Sequence, residues 1–299
     1  MTKRNMTRGY LCSGGGAILW GISGTIGQYL LGHYHIDPFW LTSVRMVFAG
    51  LVLMIAAGRE YQTMLHILTD KKDLLALMGY SLMGLLLSQV SFFTCIQYTN
   101  AGTAGILQTL SVVMMAVIVC LRTKRLPDFR EGLSIILALV GVVLIATHGD
   151  FSRMALSAQG LQWGLVAALA TVCYSFLAQN LVWKWGSVPV NALGLLLGGI
   201  LFSLFIQPWN APPVLDAAGY GLVAAVIFLG TDLTFILFLR GVGDIGPVKA
   251  TLIGTLEPVS ASLFSAVCLG TVFYVPEIIG FICIIMTVFL VMARKRVKG

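Results

Sequence analysis

Glu257 and Pro258 stand side by side in an apolar run that extends from Pro247 to Leu269. A proline deletes one backbone hydrogen bond and frees the carbonyl four residues back, here that of Gly254. A freed carbonyl in an apolar medium is tolerated where it is buried in protein or faces a water-filled cavity. The pair therefore reads either as a packed kink or as a hinge that presents backbone to a ligand. A carboxylate that far inside an apolar run costs several kcal/mol unless it is paired, neutralised or hydrated, which makes Glu257 a functional candidate. Protonation removes that cost, so the chemistry available here is exchange of a proton against a cationic group. The competing reading makes Glu257 a structural partner of a neighbouring helix.

Other polar residues break the apolar runs in patterns. Asp232 lies in the run Val214–Leu239, and Lys249 opens the next one. The short connection between those runs makes an Asp232–Lys249 ion pair feasible, while snorkelling to lipid headgroups is the alternative for Lys249. Arg45 reads as a structural contact to carbonyls or polar side chains, with substrate binding as the alternative. Gln89, Phe93 and Gln97 recur at four-residue spacing on one helix face, as do Ala104 and Gln108 with Ser111 close by. Trp20 with Ser23, and Tyr174 with Gln179, are the aromatic and polar positions of two further runs. Such stripes are either interhelical glue or cavity lining, and spacing does not separate the two.

Hydrolytic and redox chemistries find no support. Gly241-Val242-Gly243-Asp244 spells the GxGD pattern of intramembrane aspartyl proteases, but the expected position of Asp244 is a loop, and no Tyr-Asp dipeptide supplies the second acid. HExxH, a P-loop and a Gly-x-Ser-x-Gly elbow do not occur. The six cysteines (Cys12, Cys95, Cys120, Cys173, Cys268, Cys283) fall in or beside apolar runs without CxxC or metal-ligand spacing, so they read as small packing residues. No catalytic residue, metal or cofactor is expected.

The elements that must position these residues are long apolar helices. Hydrophobic residues make up 58% of the 299, charged residues only 10%, and mean hydropathy is +0.92. A helix needs about 20 mostly apolar residues to cross a bilayer. Ten runs qualify: Tyr10–Leu31, Phe39–Ala57, Leu74–Tyr98, Ala101–Leu121, Gly132–Thr147, Gly160–Trp183, Val190–Gln207, Val214–Leu239, Pro247–Leu269 and Pro276–Met292. The first is too long for a cleavable signal and reads as a signal anchor. Sixteen basic residues lie in alternate gaps and at the termini, Arg122, Lys124, Arg125 and Arg130 among them, against Arg153 alone in the other gaps. That bias predicts both termini in the cytoplasm. The formal charge of +7 then reflects orientation and anionic lipid; no nucleic-acid partner is implied.

The chain also repeats itself. A shift of 151 aligns Gly9 with Gly160, Gln28 with Gln179 and Pro38 with Pro189; a shift of 146 aligns Gly84 with Gly230, Ala104 with Ala250 and Thr109 with Thr255. Five spans per copy is an odd number, so the second copy enters the membrane from the opposite side, as inverted-repeat transporters do. The polar stretch His148–Gln159 marks the boundary, giving repeats 1–152 and 153–299.

Specific segments add a resemblance. Gln97-Tyr98-Thr99-Asn100-Ala101-Gly102-Thr103-Ala104 with Leu107-Gln108 resembles the junction of spans three and four in EamA-type members of the drug/metabolite transporter superfamily. Gly246-Pro247-Val248-Lys249-Ala250 and Thr255-Leu256-Glu257-Pro258-Val259 resemble the matching region of the second repeat; Leu19–Gly24 resembles the first span, and Arg45 with Phe48-Ala49-Gly50 the second. The chain departs from the pattern where Thr271 follows Gly270 in place of a Gly-Glu pair, and where Val112 replaces a proline. The first departure resembles the carboxylate, amino-acid and amine transporter subset. The resemblance implies an all-α membrane protein of ten transmembrane helices in two inverted five-helix repeats, in the inner membrane of a prokaryote, as a monomer or homodimer among lipids. It implies a secondary transporter that exports a small polar metabolite by alternating access, with proton coupling. Expected cavity residues are Trp20, Ser23, Gln89, Phe93, Gln108, Tyr174, Gln179 and Glu257; expected coupling or gating residues are Glu257, Pro258, Asp232 and Lys249. An uptake permease and a non-transporting chaperone or sensor remain as alternatives.

Overall fold

A computed structural model describes residues 6–150 and 154–292. Lys3, Arg4, Arg153 and the basic C-terminal residues from Arg294 onward, which contribute to the charge bias, lie outside the described residues. Those described are helical or in turns, with no strand among them. In chain order the long helices are α1 (Met6–His33), α2 (Pro38–Ala56), α3 (Lys71–Tyr98), α4 (Ala101–Arg122) and α5 (Phe129–Thr147). They are followed by α6 (Ala158–Trp185), α7 (Ser187–Ile206), α8 (Ala217–Ile245), α9 (Pro247–Gly254 and Leu256–Leu269) and α10 (Val275–Met292).

Helix starts follow from local chemistry. A side-chain oxygen satisfies orphan N–H groups of the first turn at Asp37, Asp70, Asn100, Ser157 and Asp216, and Asp128 with Glu131 forms a capping box at α5. Pro38 and Pro247 occupy first-turn positions where no N–H is needed. Eight helices among the described residues are long and apolar enough to cross a membrane. The glycine- and serine-rich α1 is not among them despite its 28 residues, and α10 is a shorter apolar helix.

Two elements differ from the sequence expectation. α8 continues to Ile245, six residues beyond Leu239, because Gly241 and Gly243 remain helical while the helix packs on α1. Asp232 is therefore near the middle of its helix, deeper than a position close to the end of the run. α9 is interrupted at Thr255, so Pro258 falls in the first turn of the second segment. There its missing N–H costs little, and the break sits three residues before the proline.

The helices pair across the halves: α1 packs on α8 and α9, α3 and α4 on α6, α2 on α7, and α5 on α10. Contacts recur at the sequence offsets of the repeat. π-helical turns at Tyr80–Leu86 in α3 and Phe228–Leu233 in α8 occupy matching positions, an uncommon feature to find twice. Gly84 in the first approaches α6 so closely that a Cβ would lie 2.9 Å from Tyr174 Cα; Gly230 in the second packs the same way on Ser23 of α1. Ser23 and Tyr174 are themselves 151 residues apart. Gly50 against Leu196 and Gly199 against Val47 give the same exchange between α2 and α7. The architecture is a two-repeat helical bundle.

Candidate functional site

A cavity of about 1260 Å³ lies in the middle of the bundle. Its walls come from every long helix except α5, and its lining runs on to Trp183 and Ser187 at the α6–α7 turn. At the opposite, α5–α6 end, hydrogen bonds join the helices. Gln28 Oε1 accepts from the Ala101 N–H at 2.9 Å and from Ser265 Oγ at 2.6 Å, and its Nε2 donates to Thr271 Oγ1 at 3.0 Å. Thr103 donates to the buried carboxylate of Glu277 at 2.9 Å, and the Trp40 indole donates to the Pro208 carbonyl at 3.1 Å. Tyr34 donates to Asp216 at 2.7 Å, ahead of α8. That bond holds the Asp216 carboxyl below the usual carboxylate range and pushes the Tyr34 phenol up to about 12. The cavity is thus continuous with one end of the bundle and stitched shut at the other.

Trp20, Ser23, Gln89 and Gln108 line this cavity from the first half, and Tyr174, Gln179, Glu257 and Pro258 from the second. Trp20 stands among Phe235 and Phe238, with ring centroids 6.1 and 5.1 Å away. Tyr174 leans on Tyr80 at 5.4 Å, and Tyr80 donates to Asn191 at 2.6 Å. Gln108 Nε2 is within 3.2 Å of both Ser88 Oγ and Thr171 Oγ1. The lower wall is therefore aromatic and the middle polar. An apolar cavity with few convergent polar groups is the usual form of a small-molecule site.

Two ionisable side chains, Arg45 and Glu257, line the cavity, and a third, Asp232, is buried outside its lining. Arg45 of α2 is buried and faces the cavity: its Nε donates to Thr231 Oγ1 at 2.8 Å, Nη1 to Gln89 Oε1 at 3.2 Å and Nη2 to the Gly230 carbonyl at 3.1 Å. Its guanidinium lies 5.1 Å from the Phe93 ring centroid. Glu257 of α9 is half-buried on the cavity wall. Asp232 of α8 is buried with neither carboxylate oxygen hydrogen-bonded. Both acids lie close enough to Arg45 for their charges to interact, yet among the described residues Arg45 forms no ion pair with either.

Several expectations need correcting. Phe93 is fully buried against Gly27 and beneath Arg45, and Phe92 lines the cavity in its place. Gln89, Phe93 and Gln97 share the regular helical segment Leu87–Tyr98, yet of the three only Gln89 lines the cavity, and Gln97 is exposed at the end of α3. The Asp232–Lys249 pair does not form: Lys249 is exposed near Tyr10, its Nζ 6.0 Å from that ring, far along α8 from Asp232. Asp244 is not in a loop but in the last turn of α8, buried and held by Arg8 Nε at 2.7 Å and Nη2 at 2.8 Å. Arg45 makes the contacts to a carbonyl and to polar side chains that the sequence reading gave it, and it also forms part of the cavity wall. A cation inside an apolar run with no acid nearby in sequence was the signal available.

The EamA-like transporter family matches residues 7–147 and again residues 158–293. An uncharacterized inner membrane transporter of Salmonella typhimurium, YicL, is 32% identical over 289 residues, covering 95% of each chain. An uncharacterized transporter of Methanothermobacter thermautotrophicus is 26% identical over 282 residues, covering 87% of this chain and 77% of its own. A solved crystal structure shares the fold over 96% of both chains with a TM-score of 0.63 at 15% identity. Two copies of one family unit, packed on each other around a central cavity, make this multi-pass membrane protein a member of the EamA-like transporter family.

Proposed function

We propose that the protein is a ten-span secondary transporter that exports a small polar metabolite, an amino acid, amine or carboxylate, across the cytoplasmic membrane of a prokaryote. The observation that carries this reading is the central cavity with Arg45 and Glu257 on its walls, open at one end and closed at the other. In this reading the repeats are residues 1–152 and 153–299, both termini are cytoplasmic, and the α6–α7 end faces the cytoplasm, so the structure is an inward-open state ready to load. Inverted repeats give the outward-open state a similar energy. Lipids surround a monomer or homodimer, and no nucleic acid takes part.

Coupling to protons runs through Glu257, with Pro258 and the Thr255 break supplying the hinge. A carboxylate that is protonated or bound to a cationic cargo group crosses the low-dielectric state without a net buried charge, whereas the empty anion does not. Asp232 is the second proton-accepting candidate. Lys249, exposed at a helix end, has no part in it.

Purified protein in liposomes, assayed with a panel of labelled amino acids, amines and carboxylates, is expected to give saturable flux of at least one class. Absence of saturable flux for the whole panel would leave a scaffold or sensor role instead. Orientation is read separately in intact cells, on a background without native cysteines. A thiol reagent that cannot cross the membrane should label Asn210→Cys in intact cells and Lys124→Cys only after lysis. Labelling of Lys124→Cys in intact cells reverses the assignment.

A further inference from the structure

We infer that Arg45 is the specificity-determining residue that grips an anionic oxygen group of the cargo, while Glu257 faces its ammonium, so that the site prefers a zwitterion to the matching amine. The inference rests on the proposed transport reading and deepens it.

A guanidinium carries five N–H donors. The bonds to Thr231, Gln89 and Gly230 engage each nitrogen of Arg45 once, which leaves one donor on each of the two terminal nitrogens. All three acceptors are neutral, and among the described residues no carboxylate is within ion-pair distance. Arg45 is nonetheless 6% exposed and forms part of the cavity wall. A buried cation with spare donors on the wall of a mostly apolar cavity lacks its complementary acceptor, and a carboxylate presents two oxygens in matching geometry.

The surroundings hold the group in place beforehand. Phe93 covers one face of the guanidinium, and Thr231 and Gly230 belong to the π-helical turn of α8. Little ordering remains to be done when a ligand arrives. Asp232 does not compete for the cavity, since Thr231 lines it and Asp232 does not. The charges inside are then Arg45 and Glu257. A zwitterion complements both and adds no net charge; an amine leaves the Arg45 donors facing hydrocarbon, and a simple carboxylate leaves Glu257 without a cation. Unsatisfied polar groups in such a site are what discriminate between close analogues.

The test uses the full chain in proteoliposomes and counterflow of matched solutes: leucine with isoamylamine, phenylalanine with phenethylamine, lysine with cadaverine. Wild type should show a half-saturation at least about tenfold lower for the amino acid of one pair than for its amine, the scale of one charge-assisted contact. Arg45→Gln should bring the two within about twofold while amine flux persists, and Arg45→Lys, which keeps charge but not the fork, should restore only part of the preference. Equal handling of amino acid and amine by wild type overturns the inference, with the transport reading intact. An unchanged preference in folded Arg45→Gln overturns it as well. If none of the solutes moves, the transport reading fails and this inference with it. Should Arg45→Gln lose its thermal unfolding transition, the wild-type pairs alone decide.

Discussion

The two repeats share a scaffold and differ in chemistry. Position by position, the second half carries Glu257 and Pro258 where the first has Ser111 and Val112, and Asp232 where the first has Leu86. The glycine contacts and π-helical turns, by contrast, occur in both. Features present twice set the shape of the scaffold. Features present once set the chemistry of the cavity.

The clearest case is the glutamine pair. Gln28 is engaged by three groups at the closed end, while Gln179, its counterpart, is exposed on the cavity wall at the open end. The partners of Gln28 are the Ala101 N–H, Ser265 and Thr271; the corresponding positions at the other end are Pro247, Val119 and Arg125. Proline has no N–H and valine no polar atom, so closure around Gln179 cannot copy the network around Gln28. The two ends of the bundle are therefore not equivalent: the hydrogen bonds around Gln28 have no counterpart at the positions that match them around Gln179.

The largest expected effect separates Glu257 from Ser111. Glu257→Gln mimics a permanently protonated side chain, so exchange should continue while uphill transport driven by a pH gradient is lost. Ser111→Ala should leave gradient-driven flux unchanged. Full gradient-driven flux in Glu257→Gln, combined with lowered thermal stability of Glu257→Ala, would assign Glu257 to structure and remove the distinction between the halves at this position.

Next comes Gln28→Leu, which deletes three hydrogen bonds at the closed end. At about 1 kcal/mol net for each, the opening equilibrium at that end should move by roughly 3 kcal/mol, on the order of a hundredfold. Hydrogen exchange at the start of α4, where the Ala101 N–H is held, should accelerate accordingly. Gln179→Leu should change it little. Equal effects of the two substitutions would erase the inequality of the two ends.

Shape, being shared, should be sensitive in both halves. Gly84→Ala forces a methyl group against the backbone of Tyr174 and should lower stability by about 1–3 kcal/mol, seen in the melting temperature. Gly230→Ala drives a methyl group into Ser23 Oγ and Cβ, and since no rotamer moves Cβ away it should cost at least as much. If one of the two is tolerated without any loss, the halves are not packed by the same rule.

The smallest effect concerns the exposed Tyr34–Asp216 contact. Hydrogen bonding lowers the Asp216 value, so its contribution to closure is present above the ordinary aspartate range, near 4, and is lost as pH falls through the folded value. Tyr34 is raised to about 12, so that side of the bond is lost only as pH climbs from about 10 through that value. Tyr34→Phe should therefore flatten the acid limb of the pH–stability curve slightly and leave neutral pH nearly unchanged. An unaltered acid limb would show that the contact contributes nothing to closure.

Much of this was legible in the sequence, because membrane immersion constrains composition severely. Apolar runs, glycine spacing, capping residues and the offsets 151 and 146 follow from the need to hide backbone polar groups in helices and to pack those helices closely. Glu257, Gln108 and Tyr174 could be singled out as cavity candidates because polar and aromatic groups in apolar runs are costly or useful. Sequence could not choose which residue faces the cavity and which packs behind it: Phe93 is buried against Gly27 of α1 and beneath Arg45 of α2, and Phe92 lines the cavity, a choice that depends on the neighbouring helices. It could not reveal that α8 extends past Leu239 and removes Asp232 from the reach of Lys249. Nor could it bring Arg45, Gly230 and Thr231 together, since residues 185 and 186 positions apart meet only when the second repeat packs on the first. Local pattern determined the helices and the repeat; the centre of the site depends on contacts between the halves, and only the assembled bundle decides those.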